Sequence, residues 1–383
     1  MPLPALHTAG CLALGALLLF APWPGGRGVS ARRMVRVALV LAVVLTAELA
    51  VFYAMHTGFF LWITLVHRAT FVVLPLLAVA VLVLALRHRP VGRTEVAATE
   101  RPAGRAPTRP AVGLALVTLT LPPVGAHAAW VAPFDLQIER VDLDVAADLP
   151  RPVTVAILAD LQCRRVGPYE EHAIDALLAL EPDVILIPGD LLQTPTMAEY
   201  AEHGPGMRAL LARLTAPGGV WFAQGNVDPW PAYHGLFEGT SVRALDDEVA
   251  RVDLDGLRLA VAGLRLSGSQ TPAGLEALGE LQAEDDADLR LVVAHLPRSV
   301  LALPADAPVD LLAAGHTHGG QVVLPLLGPP VTLSALPRHV AAGGLHELDG
   351  NALYVSRGVG MERGPAPAVR FLCPPELTLV TLR

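Results

Sequence analysis

The chain has 383 residues, 53% of them hydrophobic, with 28 basic and 36 acidic residues and a formal charge of −8, and its mean hydropathy is +0.48. That length admits more than one domain, and that hydropathy excludes an ordinary soluble globular protein. The charge is unevenly placed: residues 1–132 hold 11 Arg and 3 Glu, 11 − 3 = +8, so the remainder carries 17 − 33 = −16, which excludes a basic nucleic-acid-binding face there.

Four apolar stretches come first, at about residues 6–22, 35–55, 59–86 and 111–132. A helix crosses a bilayer core with about 20 apolar residues. The first stretch is short, but no basic segment precedes it, so it reads as a membrane helix and not as a signal peptide. In the third, the half after His67-Arg68 is the span proper. Arg27, Arg32, Arg33 and Arg36 separate the first two stretches. Arg87, Arg89, Arg93, Arg101, Arg105 and Arg109 fall in a Pro/Gly/Ala-rich stretch, 87–110, that reads as a flexible linker. The positive-inside rule puts both Arg-rich loops in the cytoplasm. Four crossings then place the C-terminal part of a multi-pass cell-membrane protein on the extracytoplasmic side. The expected organisation is a membrane domain over 1–132 and an α/β domain over 133–383. Cys11 falls in a span, so one disulfide at most is open, Cys163 to Cys373, and nothing in the spacing demands it.

Beyond residue 150, short β-branched-rich runs read as buried strands, and each ends in metal-ligand residue types. Residues 153–159 lead to Asp160-Leu161-Gln162, and 184–188 to Gly189-Asp190. Residues 220–224 lead to Gly225-Asn226-Val227-Asp228, 289–294 to His295, and 309–314 to Gly315-His316-Thr317-His318-Gly319-Gly320. Strand carboxyl ends are where α/β sheets build sites. Two histidines at i and i+2 face opposite ways on an extended strand, but just past its end, beside glycines, the chain can turn both rings to one centre. Carboxylates, amide oxygens and imidazoles together suit Mn, Fe, Zn or Co. Singly, Asp160 or Asp190 could be a helix cap and His295 a core histidine; the order of the series argues otherwise.

This series resembles the calcineurin-like metallophosphoesterase superfamily, whose blocks run Asp-x-His, Gly-Asp, Gly-Asn-His-Asp/Glu, His and Gly-His-x-His. The runs 179–190, 214–220, 354–360 and 374–377 are similar to its bacterial membrane-attached branch. The resemblance implies a four-layer αββα sandwich of two mixed sheets with two divalent metal ions, Mn favoured. It implies Asp160, Gln162 and His318 on one ion, Asn226, His295 and His316 on the other, and Asp190 bridging both. It further implies a metal-bridging hydroxide as nucleophile and a catalytic set of Asp190, Asn226 and Asp228, with a turn or cap as the alternative role for Asp228.

Two positions depart from that pattern. Gln162 stands where a histidine ligand is usual, and an amide oxygen can still ligate. Val227 stands where the family has its catalytic histidine, and valine donates no proton. The expected function is therefore hydrolysis of phosphodiester or pyrophosphate bonds with leaving groups that need little protonation. The substrate is a phosphorylated small molecule or a lipid, reached beside the membrane, with no nucleic-acid partner. A UDP-diacylglucosamine-like pyrophosphate is an alternative substrate whose chemistry is cytoplasmic, against the topology above. A non-catalytic scaffold or a phospho-ligand sensor is the rival class, favoured by Val227 alone. Arg164, Arg165, Arg357 and Arg363 adjoin the blocks and could clamp phosphate, solvated arginine being the alternative. His172, His203, His234, His339 and His346 match no block and read as surface or lid residues. The Gly/Pro-rich stretch 324–344 reads as a loop over the site or a long connection.

Overall fold

In a computed structural model, the structure describes residues 3–20, 30–54, 59–87, 107–364 and 366–383. Arg27 and residues 88–106, most of the expected linker, lie outside them. The chain divides into two compact units, Met1–His127 with Gly364–Pro367, and Ala128–Arg363 with Ala368–Arg383.

The first unit is helical: α1 (Leu3–Phe20), α2 (Ala31–Ala54), α3 (Phe59–Arg68), α4 (Leu74–Arg87), α5 (Arg109–Thr118) and α6 (Leu121–Trp130). A π-turn, Ala69–Val73, joins α3 to α4, so the helix runs through His67-Arg68 instead of starting after them. Thr108 caps α5 by accepting from the Ala111 amide, a residue type and position that satisfy an orphan N–H. Among the described residues two helical stretches, Phe59–Leu86 and Arg109–Phe134, are long and apolar enough to cross a membrane.

The second unit holds twelve strands. In chain order they are β1 (Gln137–Leu143), β2 (Val153–Ile157), β3 (Val184–Ile187), β4 (Val220–Phe222), β5 (Val242–Ala244), β6 (Glu248–Leu254), β7 (Leu257–Leu264), β8 (Leu289–Ala294), β9 (Leu311–Ala314), β10 (Gly344–Leu348), β11 (Asn351–Val355) and β12 (Glu376–Leu382). One sheet runs β1-β12-β2-β3-β4-β5 and the other β10-β11-β9-β8-β7-β6. Both are mixed: β12 is antiparallel to β2 while β2, β3 and β4 are parallel, and β7, β8 and β9 are parallel while β6 is antiparallel to β7.

Side-chain alternation explains the layers. Val155, Ile157, Val184 and Leu186 meet Leu259, Val261, Leu291 and Val293 between the sheets. On the other face of the first sheet, Ile185, Ile187 and Phe222 pack on α7 (Pro168–Leu178) and α8 (Met197–Leu211) through Ile174, Leu177, Met207 and Leu210. On the outer face of the second sheet, Ala262, Val292 and Leu312 pack on Ala277, Leu278 and Leu281 of α9 (Pro272–Gln282). The result is the expected α–β–β–α sandwich. All three cysteines are free and buried, so the disulfide does not form.

Candidate metal centre

The carboxyl ends of β2, β3 and β4 from one sheet and of β8 and β9 from the other open on the same edge. Asp160, Asp190, Asn226, His295 and His316 each follow one of these strand ends. Asp160, Asp190 and His295 are buried, with ligand atoms all within 4.8 Å of one another. Five of the seven candidate ligands, Asp160, Gln162, Asp190, His316 and His318, have φ between +36° and +73°, a region L-residues enter at a cost and that clusters at functional sites. Gly225 and Gly315 let the backbone press against these carboxylates: a Cβ on Gly225 would meet Asp190 Oδ1, and one on Gly315 would meet Asp160 Oδ2.

The geometry fits a cation. His295 Nδ1–H donates to the Pro188 carbonyl at 2.7 Å, which fixes the tautomer and turns the Nε2 lone pair inward. Asn226 Oδ1 lies 2.8 Å from His295 Nε2 and 2.9 Å from His316 Nδ1, and the two ring nitrogens are 3.1 Å apart. Burial holds both rings neutral, pushing His295 down to about 4 and His316 to about 3. Three lone-pair donors facing one another repel unless a cation sits among them. Cis ligands on an octahedral ion with bonds of about 2.1 Å would be about 3.0 Å apart, close to the spacings found here.

The other half of the cluster shows the same want of a positive partner. Gln162 Oε1 and His318 Nδ1 are buried with no hydrogen-bond partner. His318 Nε2 stands 3.9 Å from Asp160 Oδ1, and Asp190 Oδ2 stands 3.5 Å from His295 Nε2. Burial raises Asp160 well above the carboxylate range, with the Asp190 charge adding to it, and raises Asp190 to about 7. A bound divalent ion reverses that cost.

Asp228, expected among the catalytic groups with a turn or cap as its alternative role, binds main-chain amides. Its Oδ2 accepts from the amides of Asp190 at 2.7 Å and Gly225 at 2.9 Å, and its Oδ1 accepts from Leu191 at 3.0 Å. With 2% exposure the carboxylate is a clip tying the β4 loop to the β3 loop. Among the arginines, Arg164 is paired with Glu199, and Arg357 with Glu376 and Glu139, while Arg165 is exposed. Arg363 keeps a buried Nε without a partner and acts electrostatically on His318. His172 and His339 are exposed, His203 is half-buried, His234 pairs with Asp246, and His346 contacts the Gly343 carbonyl.

Sequence reading missed three contributors. Arg298, three residues after His295, acts on His316 and has a buried, unpartnered Nε. Arg370 is fully buried and donates to the carbonyls of Arg357, Gly358, Gly360 and Cys373, anchoring the loop whose Gly360 amide bonds the Asp160 carbonyl at 2.6 Å. Glu362 Oε2 accepts from Gln162 Nε2 at 3.0 Å and Oε1 from Gln193 Nε2 at 2.8 Å. Glu362 thereby decides which end of the Gln162 amide faces inward, leaving Oε1 toward the cluster. Glu362→Ala should weaken metal binding by about 10–100-fold, read by calorimetric titration of chelated protein, and Glu362→Gln, which keeps an acceptor, should lose less; equal affinity in parent and both variants would remove Gln162 from the metal shell.

A family profile described as calcineurin-like phosphoesterase matches residues 153–320. The phosphodiesterase YaeI of Escherichia coli (strain K12) is 42% identical over 248 residues, 61% of this chain and 84% of that protein. The metallophosphoesterase YkuE of Bacillus subtilis (strain 168) is 31% identical over 210 residues, 53% of this chain and 68% of that protein. Among solved structures, a 5'-nucleotidase precursor from Thermus thermophilus aligns with 61% of this chain and 54% of its own, at 15% identity and a TM-score of 0.38.

Proposed function

The chain belongs to the calcineurin-like phosphoesterase family and is a phosphoester hydrolase, and from that premise we propose that it is a membrane-tethered, dinuclear metal-dependent enzyme cleaving phosphodiester or pyrophosphate bonds. The observation that carries this reading is the convergence of Asn226 Oδ1, His295 Nε2 and His316 Nδ1 within 3.1 Å, beside the unpartnered Gln162 Oε1. A scaffold has no use for three opposed lone pairs beside the buried carboxylates of Asp160 and Asp190. The diesterase assignment of the relative YaeI supports the bond type.

In this reading Asp160, Gln162 and His318 would hold one divalent ion, Asn226, His295 and His316 would hold the other, and Asp190 would serve both. Two such ions supply, when bound, a water acidified from ~15.7 toward ~7 and charge to offset that of the transition state. The Val227 amide donates to Asp190 Oδ1 at 2.9 Å and holds that carboxylate in place. Asp228 fixes the two loops that carry Asp190 and Asn226. Arg298 and Arg363 bind non-bridging phosphoryl oxygens through guanidinium N–H groups. Val227 offers no proton to the leaving group, so an aryl oxide or a phosphate leaves and an alkoxide does not.

Elemental analysis of protein purified without chelator is expected to find close to two divalent ions per chain, with turnover of an activated aryl diester or a nucleotide pyrophosphate. A metal-loaded, folded chain inert toward all of these would return the protein to a scaffold or sensor role. The Arg-rich stretches at residues 27–36 and 87–109 favour an extracytoplasmic catalytic unit. A reporter fused after Arg383 should then be active only outside the cytoplasm; cytoplasmic activity would mean an odd number of crossings and bring back the UDP-diacylglucosamine-like substrate.

A further inference from the structure

Residues 319–337 contain no Asp, Glu, Lys or Arg, within a unit that is otherwise strongly acidic. They begin just after the ligand His318 and run Gly-Gly-Gln-Val-Val-Leu-Pro-Leu-Leu-Gly-Pro-Pro-Val-Thr-Leu. The segment is ordered by backbone bonds: Leu324 and Gly328 exchange hydrogen bonds at 3.0 and 2.9 Å, closing a hairpin. At its tip Leu326 is 106% exposed and Leu327 73% exposed. Leu336 turns back into the core at 6%, so the segment has an inside, and the tip leucines are excluded from it. Two adjacent leucines exposed at the tip of an uncharged, hydrogen-bonded loop call for an apolar partner.

The base of the hairpin shows which partner. Val323 N–H donates to the Phe371 carbonyl at 2.9 Å, and Phe371 N–H donates to the Gln321 carbonyl at 2.8 Å. The next residue back, Arg370, donates its amide to the Ala128 carbonyl at 2.8 Å. Ala128 lies in the apolar helical stretch Arg109–Phe134, whose last residues belong to the same compact unit as the hairpin. Unbroken backbone contacts therefore link the end of a candidate membrane span to the foot of the leucine loop. The same stretch exposes Trp130 at 75% and half-exposes Phe134, and Leu372, beside Phe371, is exposed as well. Aromatic residues at the end of a span are the groups that sit at a membrane–water boundary. The other end of the loop adjoins the chemistry: the Leu333 main chain acts electrostatically on the His316 ring.

We propose that the hairpin tipped by Leu326 and Leu327 enters the surface of the bilayer that the preceding helix crosses, and that it admits an amphiphilic phosphodiester or pyrophosphate to the metal centre from the lipid side. This rests on the membrane-tethered reading above. Lipid, and not a second copy, is the favoured occupant, because the contacts at the foot of the loop lead to a span end and because a bilayer supplies apolar depth on one side with the headgroup phosphate at the level of the site.

The test uses the full chain in phosphatidylcholine nanodiscs. The native cysteines are buried, so a fluorophore attached through Leu326→Cys or Leu327→Cys labels the tip alone, and Asp286→Cys labels an exposed position before β8, at the opposite ends of the strands. Spin-labelled phosphatidylcholine should quench the dye at 326 and 327 and leave the dye at 286 unquenched. Leu326→Asp with Leu327→Asp should leave turnover of a soluble aryl diester within about twofold and lower turnover of a diacylglycerol aryl phosphate in the nanodisc by about tenfold. No quenching at the tip would overturn the proposal, as would a tip shielded only by self-association in crosslinking. Quenching at the tip in a chain that hydrolyses no phosphoester would keep the lipid contact and defeat the catalytic reading, so the two failures are distinct.

Discussion

Replacing Asp190 by Asn should empty the centre without unfolding the protein. Asp190 Oδ1 accepts from the Val227 amide and Oδ2 faces the His295 Nε2 lone pair, so an Asn amide either keeps its oxygen on Val227 N–H and turns its NH2 to His295, where it can donate, or does the reverse. Either choice removes the second oxygen that allows one side chain to touch two ions. The loss should exceed the 10–100-fold typical of a supporting residue, and both ions should go together. The apo fold should not suffer. Asn has the same shape, and it replaces a carboxyl whose burial already raises it to about 7. Elemental analysis and melting curves with and without chelator check both halves of this statement. The parent should gain thermal stability from added metal by mass action and the variant should not. A variant that keeps one ion at full occupancy would show that the two sites do not share Asp190.

The parts of this centre that were legible in the sequence are those written at strand ends. Runs such as Val184–Ile187, buried on both faces, announce themselves by composition, and the residue just after each run can point only to the sheet edge. The strand-end placement of Asp160, Asp190, His295 and His316 was therefore readable from local pattern together with family order, and so was the double-sheet architecture that brings them to one edge. What was not readable comes from long loops. Glu362 reaches Gln162 across 200 residues of chain, and neither segment carries a periodicity that marks its partner. The buried Arg370 is invisible for a similar reason, since arginine is ordinarily a surface residue and only the four carbonyls gathered around it explain its burial. The two roles open to Asp228 could not be told apart in the sequence, because a carboxylate in a ligand block looks the same whether it faces substrate or three amides. The leucine hairpin shows the limit from the other side: its glycines and prolines read as a loop, but nothing in its composition says that Leu326 and Leu327 face outward.

A histidine restored at position 227 should change which leaving groups the enzyme accepts more than how fast it turns over the best one. Val227 is half-buried, next to the exposed Asn226, so an imidazole can extend toward solvent and the overpacking cost should sit at the low end of about 1–3 kcal/mol. The Asp228 carboxylate cannot orient the new ring, because the amides of Asp190, Leu191 and Gly225 already occupy it. General acid catalysis by a well-held group is worth roughly 10²–10⁴-fold; a ring positioned only by the substrate should deliver about tenfold. The gain should appear on diesters with poor leaving groups and be nearly absent for p-nitrophenolate, which departs without a proton. The measurement is kcat/KM for the parent and Val227→His across aryl diesters of increasing leaving-group pKa, after melting curves show that the variant is folded and elemental analysis shows equal metal content. The parent should show a steep fall with leaving-group pKa and the variant a shallower one. A parent already indifferent to leaving-group pKa would mean that another residue supplies the proton, with Arg298 and Arg363 unable to serve because a guanidinium stays protonated. A uniform gain across the series would mean that the histidine binds the phosphoryl group instead of protonating the departing oxygen.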